Sequence, residues 1–352
     1  MIQDGLKLTT YGGERQRTDG RFVGDALLDL YARHQIRTSL LLRGAQGFGP
    51  KHGLRTDRLL TLSEDLPLVS VAVDERARIE ALLADVTATE HHGLVTLERA
   101  RLLTGDIAGE PLPDAAKLTV YVGRRERIGG APAHLAICDL LHRRGVAGAT
   151  VLLGVDGTAH GERRRAAFLG RNAGVPLMVI AVGSAETLTP VLPELGRMLE
   201  RPLMTVERVT LWRRDGQRLE EPREPAAIDA HGLAIWQKIM VYGSEQAIVD
   251  GRPQHQLLVE RLRREDAAGA TALRGIWGFH GDHPPHGDRL WQLRRHVPAV
   301  TVIVDTPERM QRVLPVIEEV TRDRGLVTSE LVPAVAADVD GRRRGGLRLA
   351  RP

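Results

Sequence analysis

One pattern occurs three times along the chain. Tyr11, Tyr121 and Tyr242 each close an apolar segment, and glycines follow each tyrosine at the same offsets. Gly20, Gly130 and Gly251 come 9 residues on, Gly44, Gly154 and Gly275 come 33 on, and Gly47, Gly157 and Gly278 come 36 on. With 37 glycines in 352 residues, one offset shared by all three copies has a chance probability on the order of one in a thousand, and three offsets coincide. Pro67, Pro176 and Pro298 then stand at the heads of the runs LPLVSVAVD, VPLMVIAVG and VPAVTVIVD. Thr96, Thr205 and Thr328 close the pattern, each with a glutamate two residues later: Glu98, Glu207 and Glu330. A unit of about 95 to 105 residues is a small domain, longer than a solenoid repeat of roughly 20 to 50.

Periodicity within a copy assigns its elements. LKLTTYGG reads as a strand, and FVGDALLDLYARHQ places Phe22, Ala26, Leu27, Leu30 and Tyr31 at helical spacing. TSLLLRGAQGFG is a second strand ending in a glycine-rich turn, followed by a polar loop through His52 and Arg58 and by the third strand LPLVSVAVD. Ile79, Leu82, Leu83 and Val86 mark a second helix, His92 and Gly93 end it, and LVTLERARLL is a fourth strand. The same helix face returns as Met310, Val313, Leu314 and Ile317 in the third copy and as Leu188, Val191, Leu192 and Leu195 in the second. The order is that of a ferredoxin-like α+β unit. The predicted organisation is unit 1 over 1–105, a linker at 106–116, unit 2 over 117–212, a linker at 213–231, unit 3 over 232–335, and a basic disordered tail at 336–352.

The third strand of each unit is apolar on both faces. Val69, Val71 and Val73 alternate with Leu68 and Ala72, and VPLMVIAVG and VPAVTVIVD behave alike. Helices cover one face only, so the open faces are expected to pack against one another as a single-chain pseudo-trimer.

Composition narrows the function classes. Hydrophobic residues make up 42% of the chain, yet no apolar run approaches the roughly 18 residues that span a bilayer. The chain is expected not to be membrane-embedded. No charged-then-apolar leader opens it and Cys138 is its one cysteine, which together predict a cytoplasmic protein. Cys138 sits on a helical apolar stripe and reads as a packed thiol. Basic and acidic residues, 49 and 45, are interleaved, and the runs Arg163–Arg165 and Arg342–Arg344 read as solvated charge before a phosphate or acidic-lipid contact. Aromatics at 3% leave a sheet without the stacking residues of an RNA binder. No nucleophile elbow, phosphate loop, zinc-protease helix or cysteine–histidine pair occurs, so an enzyme is not expected. Glu98, Glu207 and Glu330 fit an inter-unit hydrogen bond or a rim salt bridge better than general-base chemistry.

The segments LLLRGAQGFG, LTLSEDLPLV and HHGLVTLERARLL resemble the domain of unknown function 190 family, which is regarded as PII-like. Copy three keeps the pattern in ALRGIWGFHG and RGLVTSELV, whereas LLGVDGTAHG in copy two keeps the glycines and loses most of the polar character. The resemblance implies a signalling protein that binds a nucleotide or small anionic effector in clefts between units and acts on a protein partner, such as a membrane transporter or channel. The implied site is Arg43, Gly44, Gly47, Arg274, Gly275 and Gly278, at the start of loops matched by Gly44–Gly49, Gly154–Thr158 and Gly275–Gly281. Clustered glycines there either converge backbone N–H groups on an anion, with arginine beside them, or permit a sharp turn out of the sheet. The family's glycine-rich phosphate loop is only EHHG, LERP and RDRG here, which argues against ATP. Leu153 stands where copies one and three have Arg43 and Arg274, so the clefts should be unequal. No cofactor is named by these residues. His280, Asp282, His283 and His286 form a weak candidate metal cluster that also reads as an exposed polar loop. A ligand-free adaptor scaffold is the alternative.

Overall fold

The structure is a computed structural model describing residues 2–49, 53–56, 65–89, 93–105, 107, 111–159, 162–163, 175–222, 228, 235–280, 285–287, 297–339 and 342–349. In the first repeat β1 (Ile2–Gly13) leads to α1 (Val23–Arg33), β2 (Thr38–Phe48), β3 (Pro67–Glu75), α2 (Arg76–Thr89) and β4 (Leu94–Thr104). The second runs β5 (Ala115–Gly123), α3 (Ala133–Arg143), β6 (Gly148–Leu153), β7 (Asp156–Ala159), β8 (Pro176–Ser184), α4 (Ala185–Leu188), α5 (Val191–Met198), β9 (Leu203–Arg208) and β10 (Thr210–Arg214). The third comprises β11 (Trp236–Ser244), α6 (Gln254–Arg264), β12 (Ala270–Arg274), β13 (Trp277–His280), β14 (Pro298–Asp305), α7 (Pro307–Val320), β15 (Leu326–Val332), β16 (Ala334–Val339) and β17 (Arg342–Gly346). No helix among the described residues is long and apolar enough to cross a membrane.

Amphipathicity builds the helices. Ile79, Leu82 and Val86 bury one stripe of α2, and Met310, Val313, Ile317 and Val320 do so on α7. Thr306 caps α7 by accepting from the Arg309 N–H, with Pro307 in its first turn. In the second repeat the stripe Leu188, Val191, Leu192 and Leu195 is buried across two short helices. Phe22 departs from expectation: it precedes α1, is exposed, and lies under the Arg17 guanidinium at 4.3 Å.

Each repeat places its strands in one order. The first strand lies between the third and the fourth, and the second flanks the third: β4-β1-β3-β2, β9-β5-β8-β6 and β15-β11-β14-β12. Two further sets of antiparallel pairs join the repeats into one strongly curled sheet. In the first set β4 pairs β9 (Leu103↔Met204), β10 pairs β15 (Leu211↔Thr328), and β16 pairs β4 (Val335↔Thr96). In the second, β2 pairs β12 (Gly47↔Thr271), β7 pairs β2 (Thr158↔Ser39), and β13 pairs β6 (Gly278↔Thr150). Each repeat therefore meets both others, and the chain end closes the cycle.

That closure corrects the expected disordered tail. β16 and β17 form a hairpin, and Leu347 and Leu349 are buried in the core of the first repeat. The start of β4 offers a free edge, and β16 fills it with backbone hydrogen bonds. Arg342–Arg344 remain exposed on the outer strand.

Three hydrophobic clusters lie between the sheet and the helices of individual repeats. A fourth draws on all three repeats: Val69, Val71 and Val73 meet Met178, Ile180 and Val182 and also Val300, Val302 and Val304. The alternate face carries Ala72 in the first repeat and Leu177, Val179 and Ala181 in the second, packed under helices. Burial of both strand faces explains the near-continuous apolar runs in the sequence.

Candidate functional site

Residues two apart on a strand share a face, so Lys7, Thr9 and Tyr11 of β1 all look toward the shared centre. Across β1 and β4, Lys7 stands opposite Glu98 and Thr9 opposite Thr96. The second repeat matches with Lys117 opposite Glu207 and Thr119 opposite Thr205. The third has Lys238 opposite Glu330, but Met240 opposite Thr328.

The six charged groups form a closed alternating ring. Lys7 Nζ lies 3.0 Å from Glu207, Lys117 lies 2.9 Å from Glu207 and 2.6 Å from Glu330, and Lys238 lies 3.1 Å from Glu330. Lys238 also pairs with Glu98, and Lys7 completes the circuit to Glu98 at 3.8 Å. Each lysine thus bridges the glutamate of its own repeat and that of another. Thr96 donates to Glu98 at 2.8 Å. All six side chains are at most 7% exposed.

Burial disfavours every charge in this ring, and mutual neutralisation offsets that cost. Burial raises Glu207, but Lys117 and Lys7 override it and hold the carboxyl far below its ordinary value. Glu98 is held down in the same way by Lys238 and Lys7. Lys117 and Lys238 are pushed up despite burial, each by two flanking carboxylates. Lys7 is the exception: burial pulls it down, and the longer contact to Glu98 leaves it one close anion. The phenols of Tyr11, Tyr121 and Tyr242 are pushed up by the same burial.

The three carboxylates offer oxygens within 4.8 Å of one another, a spacing that could hold a cation. Each already faces ammonium groups, so a metal would have to displace lysine. The ring fits a structural clasp: buried charge arranged in this way fixes which strands meet and in what register.

The ring is also a floor. A pocket of about 810 Å³ lies where the repeats converge, with Glu98, Glu207 and Glu330 at its base. Three tiers of equivalent positions line it: Asp4, Asp114 and Ile235; Arg99, Arg208 and Leu331; Arg101, Thr210 and Pro333. The inter-repeat segments add Pro111–Pro113 and Glu220, and Arg101 donates to the Pro111 carbonyl at 2.6 Å.

The lateral clefts are far smaller. One, lined by Tyr242, Phe279 and His280, holds about 20 Å³, and its counterpart beside Tyr11 and Phe48 holds about 50 Å³. At the third junction Thr158 replaces the phenylalanine and bonds to the Ser39 hydroxyl at 2.9 Å. The junctions are chemically unequal, as expected.

The sequence-predicted site residues lie away from the central pocket, at the seams between repeats. β2 runs unbroken through Gly44 and Gly47, so no loop starts there. A Cβ on Gly47 would stand 2.6 Å from the Ala270 carbonyl, and one on Gly278 would run into that of Ala149. Gly44 and Gly275 abut Pro67 and Pro298. The shared glycines and prolines therefore permit close backbone approach at the seams, and at Gly44 and Gly47 the chain makes no sharp turn out of the sheet. Arg43 is exposed and paired with Glu14 at 2.7 Å, and Arg274 is paired with Glu245. Copy two has Arg124 and Leu153 at these places and cannot form the pair. Of the candidate metal cluster, His280 and His286 stack edge-on with ring centres 6.3 Å apart, while Asp282 and His283 lie outside the described residues. So do His52, Arg58, most of EHHG, and Arg164 and Arg165. Cys138 is buried, which pushes its thiol up.

The glutamates were anticipated as inter-unit partners, but at a rim; they are central. The lysines were missed although Lys7, Lys117 and Lys238 each precede the repeated tyrosine by 4. That shared offset was the available signal.

A three-repeat α+β chain with a buried charge ring at its centre defines a class, and comparison supplies the family. The domain of unknown function 190 (uncharacterized ACR) matches three times, over 5–102, 115–211 and 236–334. The chain belongs to this family. It is 32% identical over 98 residues to a UPF0166 protein of Aquifex aeolicus (strain VF5), covering 28% of this chain and 90% of that protein. A UPF0166 protein of Methanocaldococcus jannaschii is 29% identical over 89 residues, 25% of this chain and 82% of the relative. Each relative is thus nearly spanned by one repeat's length.

Proposed function

We propose that the chain is a PII-like regulatory protein whose three ferredoxin-like units form a single-chain pseudo-trimer. It binds a small anionic effector where the units converge and acts on a protein partner, for which a membrane transporter or channel is the working expectation. The strand order within repeats, the cyclic pairing between them and the single-repeat length of the relatives support the architecture.

The observation that carries the binding reading is the pocket of about 810 Å³ with Arg99, Arg101 and Arg208 on its walls. Small-molecule sites usually occupy roughly 300–1,000 Å³, and the lateral clefts of about 20 and 50 Å³ fall far short. The reading moves the effector from the lateral clefts to the centre. It is a binding role, not catalysis, because the buried carboxylates are each neutralised by lysine. The test is a thermal-shift panel of ATP, ADP, AMP, bicarbonate, 2-oxoglutarate and citrate on the wild type and on Arg208→Ala. A rise in melting temperature lost in the variant supports the reading; silence throughout sinks it.

The closed lateral clefts favour a second reading, a ligand-free adaptor scaffold. It predicts that silence, together with capture of a protein partner by the untreated chain.

A further inference from the structure

Two hairpins seat in the same way on neighbouring repeats, but their arginines meet different helices. β10 lies on the start of β15 and folds back through Gln217–Arg218, and β16 lies on the start of β4 and folds back through β17. In the first hairpin Arg213 and Arg218 reach Glu318 of α7, and Arg218 also pairs with Glu221. The second hairpin is followed by Leu347 and Leu349, which pack in one core with Leu82 and Val86 of α2. Counted from Pro67 and Pro298, α2 carries Thr87 where α7 has Glu318, and Ala88 where α7 has Glu319. The Thr87 hydroxyl turns back to the Leu83 carbonyl at 2.7 Å. The helix on this side therefore lacks the carboxylate that neutralises the equivalent hairpin.

The C-terminal hairpin is basic with its own acids counted. Residues 336–352 hold five arginines against Asp338 and Asp340, and the segment between α2 and β4 adds Glu90. Arg342, Arg343 and Arg344 are exposed on β17. Among the described residues β17 pairs with β16 alone, so alternate backbone N–H and C=O groups along Arg342–Gly346 point away from the sheet. Arg342 and Arg344 stand on one face of that strand and Arg343 on the other. A strand added at this edge would run between cations on both sides. Like-charged edges are rejected there, and an acidic one gains backbone hydrogen bonds and charge pairing together.

We propose that β17 is a docking edge for a protein partner that carries an acidic extended segment and adds it to the sheet as a strand. This names the surface by which the proposed regulator, or the adaptor of the second reading, meets its partner, and it rests on there being such a partner. Nucleic acid and anionic membrane are the rival occupants of a basic surface. Residues 336–352 contain no aromatic on which a base could stack, and Leu347 and Leu349 are buried in the first repeat's core and are not offered to a bilayer.

The test is fluorescence anisotropy of the full chain with a labelled peptide of alternating glutamate and valine. The lysine–valine peptide, the acidic peptide N-methylated on alternate residues, labelled oligo(dT) and sedimentation with phosphatidylserine vesicles are the comparisons. Arg342→Ala combined with Arg344→Ala changes exposed positions only, and far-UV circular dichroism verifies that this variant folds. The acidic peptide is expected to bind saturably at low salt, about tenfold more weakly to the variant, and to lose affinity on N-methylation. No binding of the acidic peptide, or binding unchanged in the variant, would overturn the proposal. Equal binding of the N-methylated peptide would overturn strand addition, and arginine-dependent binding of oligo(dT) or vesicles in place of the acidic peptide would assign the edge to the rival partner. Each of these failures leaves the effector reading to the thermal-shift panel, which does not depend on β17.

Discussion

Lys117 Nζ lies 2.6 Å from Glu330 Oε1, although 213 residues separate the two in sequence. The contact joins the second repeat to the third, and its counterparts Lys7–Glu207 and Lys238–Glu98 join the other two junctions. Buried ion pairs seldom add much net stability over an apolar replacement, but removing one partner strands the other.

Lys117→Met leaves three buried carboxylates facing two ammonium groups. It should cost about 3–5 kcal/mol in urea unfolding. Adding Glu330→Gln restores neutrality, so the double variant should lose less than the sum of the singles. Strict additivity would mean that the ring is not coupled.

The ring also sets a pH dependence. Glu98 and Glu207 hold pKa values below those of an unfolded chain, so the folded state binds fewer protons than the unfolded one. Their contribution is complete above the unfolded value of about 4.3 and is lost as pH falls below it. Lys117 and Lys238, shifted upward, lose theirs only above about pH 10.4 as pH rises through their folded values. Stability measured by denaturant should decline from roughly pH 5 downward, and Glu207→Gln should flatten that decline.

Gly157→Ala drives a Cβ into the Ser39 carbonyl at the β7–β2 seam. Neither strand can yield without losing its pairing, so a cost of about 2–3 kcal/mol is expected. Gly123→Ala meets nothing within 4 Å and should stay within about 0.5 kcal/mol of wild type. Equal effects at the two positions would refute the seam role.

Truncation after residue 335 removes most of β16, all of β17, and the buried Leu347 and Leu349. The melting temperature should fall by roughly 5 °C or more, with faster amide exchange at Leu94–Leu97, the partners of β16. An unchanged melting temperature would restore the view of a disordered tail.

Much of the fold was legible because it is written three times. The tyrosine, glycine and proline offsets delimit the repeats, and the two-sided apolarity of Val69–Val73 requires a covering surface on each face. The seam contacts of the glycines were not legible because one residue type serves anion cradles, sharp turns and tight backbone passage alike, and the close approach depends on the partner strand. The lysines were overlooked because a lysine in a strand ordinarily reads as solvent-facing; its burial depends on carboxylates from another repeat. The tail was misjudged on its charge, since a free edge of β4 is not visible from Arg342–Arg344. The central pocket had no local signature, being assembled from single positions on three repeats and the segments between them.

Hydrogen–deuterium exchange with and without any anion that raises the melting temperature would locate the proposed effector site. The account predicts slowed exchange at residues 98–101 and 206–210, which line the central pocket. Protection confined to 44–49 and 275–280, at the seams and lateral clefts, would contradict it.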